Sequence, residues 1–239
     1  MKKGVYLLIT VLIFSSCKQS EKQKETEKPE SKPEQIEIKK ETVNSDSIKK
    51  HDTFNEAIAV AADNLKTFIP KDYEAINVAK GDLNLDEFND VILVLRKSTE
   101  ETTSNYNENK PDKRPLLILL GQKNNTYKLA FKNDNAVYCI DCGGVFGDPF
   151  TGISIKKGFF SIEHGISGGH HWENISTFKY NKAKENWFLY KDHYLNYVLN
   201  SDTSDNAEAL VVDVDKLKTV KDFGEISFQN FNIYNEEGY

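Results

Sequence analysis

The sequence of 239 residues lacks a cluster of Lys and Arg after residue 50. Its formal net charge is −6 and its pI is near 5.5. Nucleic-acid recognition needs a positively charged face that neutralises phosphates. We therefore expect no nucleic-acid partner.

The sequence also lacks an apolar run long enough to cross a bilayer of about 30 Å as a helix. The apolar run nearest the N-terminus extends from Val5 to Phe14, after Lys2 and Lys3. Basic residues, a short apolar core and small residues together are typical of a secretory signal peptide, which we assign to residues 1–16.

The residues Ser15 and Ser16 directly precede Cys17, and this arrangement resembles the lipobox of bacterial lipoproteins. Phe14 stands where such motifs usually have Leu, Val or Ile. The resemblance implies that Cys17 is acylated and becomes the first residue of the mature chain. The protein would then be anchored in the cell envelope, at the periplasmic face or the cell surface, without spanning the membrane. The alternative is a secreted protein in which Cys17 has no such role.

We predict that residues 17–50 consist of the lipidated Cys17 and a charged tether. Lys18–Lys50 contains nine lysines, eight acidic residues and two prolines, with few large apolar side chains. Such a segment cannot bury enough surface to offset its chain entropy, so we predict disorder. Residues 51–239 contain 20 basic and 29 acidic residues, a net charge of −9, and form the single predicted globular domain.

The predicted fold class of this domain is mainly β (α+β). Residues 52–70 begin with a capping-box pattern at Thr53 and Glu56 and have apolar residues at helical spacing, which predicts one N-terminal amphipathic helix packed on a sheet. Residues 97–114 are predicted to be a mobile loop, and residues 209–239 to add one or two strands. Short turns between successive strands indicate antiparallel pairing. The predicted strands are Ala75–Ala79, Val91–Leu95, Pro115–Leu120, Tyr127–Phe131, Ile153–Ile155, Phe159–Glu163, Ile175–Tyr180 and Trp187–Tyr190.

The segment Gly81–Leu95 has oxygen-bearing side chains at alternate positions before a buried strand. Asp82, Asn84, Asp86 and Asp90 occupy positions 1, 3, 5 and 9, and the carbonyl group of Phe88 occupies position 7. Calcium takes six to eight oxygen ligands, so this spacing predicts a calcium site. The alternative is a polar turn in which Asp and Asn cap backbone amides.

This segment resembles the calcium loop of FG-GAP repeats in β-propellers, with the pattern D-x-[DN]-x-[DN]-G-x-x-D. The resemblance implies that Asp82, Asn84, Asp86 and Asp90 bind the ion. Glu87 stands where those loops have Gly, and Leu93 occupies the position that is Glu in an EF-hand. The loop is not repeated along the chain, so the resemblance does not extend to the propeller fold.

Cys139 and Cys142 form a C-x-x-C pair in a chain predicted to be exported. Export and the glycines that follow favour a structural disulfide over a redox pair at a helix start. Zinc is the other alternative, with partners in the segment "EHGISGGHHWE". The candidate partners are Glu163, His164, His170, His171 and Glu173.

Common catalytic motifs are missing: we find no G-x-S-x-G elbow, H-E-x-x-H helix or Walker loop. Ser167 lies close to histidines in sequence, and Asp148 with Glu163 could form an acid and base pair. An envelope hydrolase with a site around Cys139–Phe150 and Glu163–Trp172 is therefore an alternative to a protein without catalytic activity.

The segments Cys142–Phe150 and Gly81–Asp86 also resemble C-G-G-x-x-G-D-P-F and G-D-L-N-x-D segments of uncharacterised bacterial lipoproteins. That group implies no activity. We predict a lipid-anchored envelope protein with a non-enzymatic binding or structural role, stabilised by calcium, whose ligand is a protein or a cell-wall component. A protein that neutralises a toxin at the periplasmic face is a further alternative.

Overall fold

The computed structural model describes residues 64–168, 171–204 and 206–235. In these ranges nine strands form two antiparallel sheets, and within each sheet every strand pairs with its neighbour in sequence. The prediction of a mainly β antiparallel fold is confirmed. The predicted signal peptide, the predicted tether, Cys17 and most of the predicted N-terminal helix lie outside the described residues.

The first sheet has four strands in the order β1-β2-β3-β4, and the second has five in the order β5-β6-β7-β8-β9. The strands of the first sheet are β1 (Tyr73–Gly81), β2 (Asp90–Lys97), β3 (Leu116–Gly121) and β4 (Tyr127–Asn133). Those of the second are β5 (Phe150–Lys156), β6 (Phe159–Ile166), β7 (His171–Asn181), β8 (Asn186–Leu199) and β9 (Leu210–Thr219). Short helices α1 (Glu100–Thr103) and α2 (Val220–Phe223) and three 3₁₀ turns, Lys66–Phe68, Gly144–Phe146 and Phe228–Asn230, complete the described elements.

The continuous aliphatic runs of β2 and β3 arise because both faces of these strands are buried. Ile92 pairs with Ile118 and faces a core shared with the second sheet. Val91 pairs with Leu119 and faces a separate cluster that includes Leu65. Side chains of a strand alternate between its two faces, so burial on both sides requires an uninterrupted apolar sequence.

The main core joins apolar side chains of both sheets. On the second sheet, Phe160 and Phe178 stack with ring centroids 4.8 Å apart. We call the face of the second sheet that carries Phe160, Ile162 and Phe178 the inner face. Phe228 and Phe231, in the segment after α2, pack on these rings and close the core.

The insert at residues 97–114 differs from its predicted structure, whereas the C-terminal segment adds one strand as predicted. Residues 97–114 contain α1 and a β-bridge between Asn105 and Lys110, and they bury Glu100 and Arg114. This insert is therefore folded onto the domain, because its charged residues find buried partners that its polar composition does not indicate. The C-terminal segment contributes β9 but then forms α2 and a 3₁₀ turn, since Phe228 and Phe231 fill the core without joining a sheet.

Candidate functional site

A buried arginine fixes the loop between β4 and β5 to the insert before β3. Arg114 is fully buried and donates two hydrogen bonds to the Glu100 carboxylate, at 2.7 and 2.9 Å. It donates two more, both 2.7 Å long, to Asp148, and one to the carbonyl oxygen of Tyr138. Burial alone would lower the pKa of Arg114, but the hydrogen bonds to Asp148 and Glu100 raise it above its usual value. Arg114 therefore stays positively charged and holds the two segments together. We call Arg114 with Glu100 and Asp148 the clamp.

The predicted disulfide between Cys139 and Cys142 is present in the same loop, with Cα atoms 5.1 Å apart. Asp141, between them, accepts hydrogen bonds from the hydroxyl of Ser104 and the backbone N–H of Tyr106. Both sulfur atoms are bonded to each other, so they are not thiolate ligands of the alternative zinc site. His170, another candidate ligand of that site, lies outside the described residues.

His164 lies on β6 beside this loop, and its side chain is 1% exposed. Burial lowers its pKa to about 3, and the positive charge of Arg114 adds to the shift. Its Nε2 atom accepts a hydrogen bond from the backbone N–H of Tyr138. The neutral ring therefore carries its proton on Nδ1, and that buried atom has no hydrogen-bond partner in the protein.

Asn174 lies directly opposite His164 on β7, so both side chains point to the inner face. The Asn174 Oδ1 atom is also buried without a hydrogen-bond partner, while the side chain hydrogen-bonds to Asp192. A buried polar group without a partner costs about 1–3 kcal/mol. His164 thus has a hydrogen-bond donor without a partner, and Asn174, opposite it on β7, has an acceptor without a partner.

Aromatic rings surround this pair of residues. The rings of Trp172 and Tyr194 stack with centroids 6.3 Å apart, and Tyr138 meets Trp172 edge-on at 6.5 Å. All three side chains are partly exposed. We call Tyr138, Trp172, Asn174, Asp192 and Tyr194 the inner-face patch.

Asp192 forms the polar base of the inner-face patch. Ser176 donates a hydrogen bond of 2.6 Å to its carboxylate. Burial raises the pKa of Asp192, while the hydrogen bonds from Ser176 and Asn174 and the charge of Lys218 offset part of that rise. The patch is therefore a partly exposed surface in which aromatic rings stand beside hydrogen-bonding groups, as in many small-ligand sites.

The predicted calcium loop is a hydrogen-bonded turn. The backbone N–H of Asp86 donates to Asp82 and Asn84, and Asp86 in turn accepts from the backbone N–H of Phe88. Leu85 and Glu87 have positive φ angles of 66° and 72°, so Glu87 adopts the backbone conformation for which related loops use Gly.

Asp90 differs from the other predicted calcium ligands in its burial and its hydrogen bonds. It is fully buried, and its two carboxylate oxygens accept the backbone N–H groups of Leu83 and Gly121. Asp90 thus ties the turn to the end of β3. In the described part of the chain, no group of three or more His, Cys, Asp or Glu side chains is arranged to hold a metal ion. Calcium binding by Asp82, Asn84, Asp86, Phe88 and Asp90 stays a prediction.

A cleft of about 290 Å³ on β6 and β7 contains several residues of the hydrolase alternative, among them Glu163, Ser167, His171 and Glu173. Glu163 accepts a hydrogen bond from Ser154, and His171 Nε2 lies 3.4 Å from Glu173. Asp148, the other half of the candidate acid and base pair, is held by Arg114. These contacts give Glu163, His171 and Glu173 structural partners, and among the described residues no hydrogen bond joins Ser167 to a histidine.

Comparison with protein-family models, curated proteins and solved structures gives no match for this chain. Among the residues that the structure describes, no helix is both long enough and apolar enough to cross a membrane.

Proposed function

We propose that the protein is a lipid-anchored component of the cell envelope that binds a ligand on the inner-face patch without catalysing a reaction. The signal peptide, Cys17 and the charged tether support the anchor. The inner-face patch carries the binding role, because Trp172 and Tyr194 remain partly exposed on a face whose other half forms the core. Aromatic side chains left exposed beside buried polar groups mark binding surfaces.

Calcium in the loop before β2 would serve as a structural ion in this proposal. Asp82 and Asp86 lie within five residues of each other, and a cation would relieve their repulsion. The carbonyl oxygen of Leu83 accepts a hydrogen bond from the buried ring of Trp187. A cation in this loop would therefore stabilise a turn that is connected to the core.

The anchor is tested by fractionating cells that produce the Cys17→Ser variant. We expect the variant to leave the membrane fraction, because one residue carries the lipid. Retention in the membrane at the parent's level would contradict the anchor.

The binding role is tested by sedimenting the purified Cys17→Ser chain with an insoluble cell-envelope fraction. We expect Trp172→Ala in that background to reduce the bound fraction by about tenfold. Tyr190→Ala is the matched control, because Tyr190 is an exposed aromatic residue of β8 that packs on Phe159 outside the patch. Absence of binding by the parent, or equal binding by both variants, would contradict this role.

A protein partner is the second candidate, as the toxin-neutralising alternative requires. Val145 is 96% exposed and Phe146 is 45% exposed at the tip of the loop that the disulfide and Arg114 hold. Apolar side chains on a fixed loop tip can anchor a protein interface at low entropic cost. If a partner is captured from the envelope, loss of binding by Val145→Ser with Phe146→Ser, but not by Trp172→Ala, would support this candidate.

A further inference from the structure

A cavity of about 640 Å³ lies between the insert before β3 and the segment after α2. Its lining residues are Tyr106, Asn107, Asn109, Pro111, Lys113 and Tyr234. Sites for small molecules usually have volumes of about 300–1,000 Å³, so this cavity has room for a small ligand. We call it the Lys113 cavity, and none of its lining residues belongs to the inner-face patch.

The walls of the Lys113 cavity are held in place by hydrogen bonds outside it. The backbone N–H of Tyr106 donates to Asp141 in the disulfide loop, and the backbone N–H of Asn109 donates to the carbonyl oxygen of Tyr106. On the opposite wall, the hydroxyl of Tyr234 donates to the carbonyl oxygen of Val137. A site whose walls are already ordered loses little conformational entropy when a ligand binds.

Lys113 supplies a positive charge to this cavity. Its side chain is half-buried, and its Nζ atom lies 3.0 Å from the centre of the Tyr234 ring. Among the described residues no carboxylate pairs with Lys113, and the adjacent Asp112 pairs with Lys97 instead. Burial lowers the pKa of Lys113. An anion in the cavity would therefore give this ammonium group the charged partner that the described part of the chain does not provide.

The other polar side chains of the Lys113 cavity are neutral. Tyr106, Asn107 and Asn109 are exposed, and their side chains make no hydrogen bond to another described residue. Amide groups and a phenol hydroxyl can each donate to an oxygen atom of a ligand. One cation beside neutral donors fits a ligand that has one negative charge and further oxygen atoms.

The charge balance favours a carboxylate over a phosphate. A phosphate monoester carries about 1.5 to 2 negative charges at pH 7. It is commonly bound by the two-pronged guanidinium group of arginine. Arg114, the arginine nearest to Lys113 in sequence, is fully buried and already binds two carboxylates. The net charge of −9 on residues 51–239 also disfavours a dianion more strongly than a monoanion.

We propose that the Lys113 cavity binds the carboxylate of a small polar organic acid, such as a hydroxy acid or an N-acylated amino acid. The ammonium group of Lys113 pairs with the carboxylate, and the amide groups of Asn107 and Asn109 donate to other oxygen atoms of the ligand. This site goes beyond the proposed function, because it does not use the inner-face patch. A phosphate ligand and a cavity filled only by water are the competing explanations.

The first experiment measures how fast each lysine of the Cys17→Ser chain reacts with an amine-selective ester, using mass spectrometry. Lactate and N-acetylalanine are the test acids, N-acetylalanine amide is the uncharged control, and inorganic phosphate is the competing anion. At about ten times the dissociation constant, an acid should slow labelling of Lys113 about tenfold. Lys128 is exposed on β4 and is the internal control, which should keep its rate. Protection by phosphate but by neither acid, equal protection by the amide, or no protection at all would overturn the proposal.

The second experiment titrates the protecting acid by calorimetry into the Cys17→Ser chain and its variants. A hydrogen bond to a charged group contributes about 1.5–3 kcal/mol, so Lys113→Met should weaken binding by about tenfold or more. Lys128→Met is the matched control and should bind like the parent. Asn107→Ala, an exposed substitution, should also weaken binding and carries the test if melting curves show that Lys113→Met does not fold. Affinity unchanged in Asn107→Ala and in folded Lys113→Met would overturn the proposal and leave the inner-face patch unaffected.

Discussion

Arg114 and Asp148 meet through two hydrogen bonds of 2.7 Å, although they lie 34 residues apart in the chain. The same guanidinium group binds Glu100, so one side chain joins the insert before β3 to the disulfide loop. The loop carries Tyr138, whose backbone N–H binds His164 and whose ring meets Trp172. The inner-face patch is thus connected through Tyr138 to the clamp centred on the buried Arg114.

Replacing Arg114 by Met should destabilise the domain by about 3–5 kcal/mol, because it leaves the buried carboxylate of Glu100 without its charged partner. Urea unfolding followed by circular dichroism measures the change. Arg96→Met is the matched control: Arg96 pairs with the half-exposed Glu74, and exposed ion pairs contribute about 0–1 kcal/mol. A loss below 1 kcal/mol for Arg114→Met would contradict the clamp. The double variant with Glu100→Gln should recover part of the loss, since no buried charge then remains unpaired.

The buried ring of His164 predicts a dependence of stability on pH. Its pKa in the folded protein is about 3, whereas an unfolded histidine titrates near 6.5. As the pH falls below 6.5, only the unfolded chain takes up this proton, so stability should be lost at up to about 1.4 kcal/mol per pH unit. His164→Gln keeps an acceptor for the Tyr138 N–H and removes the titration. The stability difference between parent and variant, measured by urea unfolding, should therefore shrink from pH 7 to pH 5. A constant difference between parent and His164→Gln would show that His164 is not buried as described. His193→Gln is the control for replacing a histidine on the same sheet.

Calcium should stabilise the domain through the loop before β2. At about ten times the dissociation constant, a bound ion adds about 1.4 kcal/mol, which corresponds to a rise of about 2–4 °C in Tm for a domain of this size. Thermal melts in millimolar calcium and in chelator measure the shift. Asp86→Ala should abolish it. Asp90→Asn should lower Tm under both conditions, because Asp90 binds the backbone of Leu83 and Gly121. An equal calcium shift in the parent and in Asp86→Ala, or no shift in the parent, would leave this loop as a polar turn.

Cys139 and Cys142 should not react with a thiol reagent in denatured, unreduced protein. The ring that they close is small, so reduction should change the global stability little. It should instead loosen the tip at Val145 and Phe146. Labelling followed by mass spectrometry counts the free thiols. Two free thiols together with stoichiometric zinc would reverse the assignment and favour the hydrolase alternative.

Strands β2 and β3 of the first sheet were predictable because burial on both faces requires long aliphatic runs, which turns separate. In the second sheet, strand bounds were predictable only for segments that contribute to the core, whereas β9 was expected only as a strand somewhere in residues 209–239. The predicted strand Trp187–Tyr190 extends in the structure from Asn186 to Leu199. The C-terminal half of β8 places Asp192 and Tyr194 on the inner face. Alternation of apolar and polar residues predicts apolar residues at these positions, so this alternation ends where the inner-face patch begins.

The contacts of Arg114 with Glu100 and Asp148 could not be predicted from the sequence, for a different physical reason. Glu100 and Arg114 lie in a polar insert whose composition is typical of a solvated loop. Their burial depends on mutual pairing and on Asp148, which are contacts between distant parts of the chain. From the sequence, Asp148 is a candidate only for a catalytic acid or base. Local composition cannot distinguish a charge that is solvated from one that is neutralised by a partner.

Hydrogen–deuterium exchange of the Cys17→Ser chain, with and without the envelope fraction, tests the binding role of the inner-face patch most directly. We predict that bound ligand slows exchange in peptides of β7 and β8 that contain Trp172, Asn174 and Tyr194, while peptides of β2 and β3 keep their rates. Unchanged exchange throughout β7 and β8 when the chain is bound, or slowing confined to the loop of Val145 and Phe146, would contradict it.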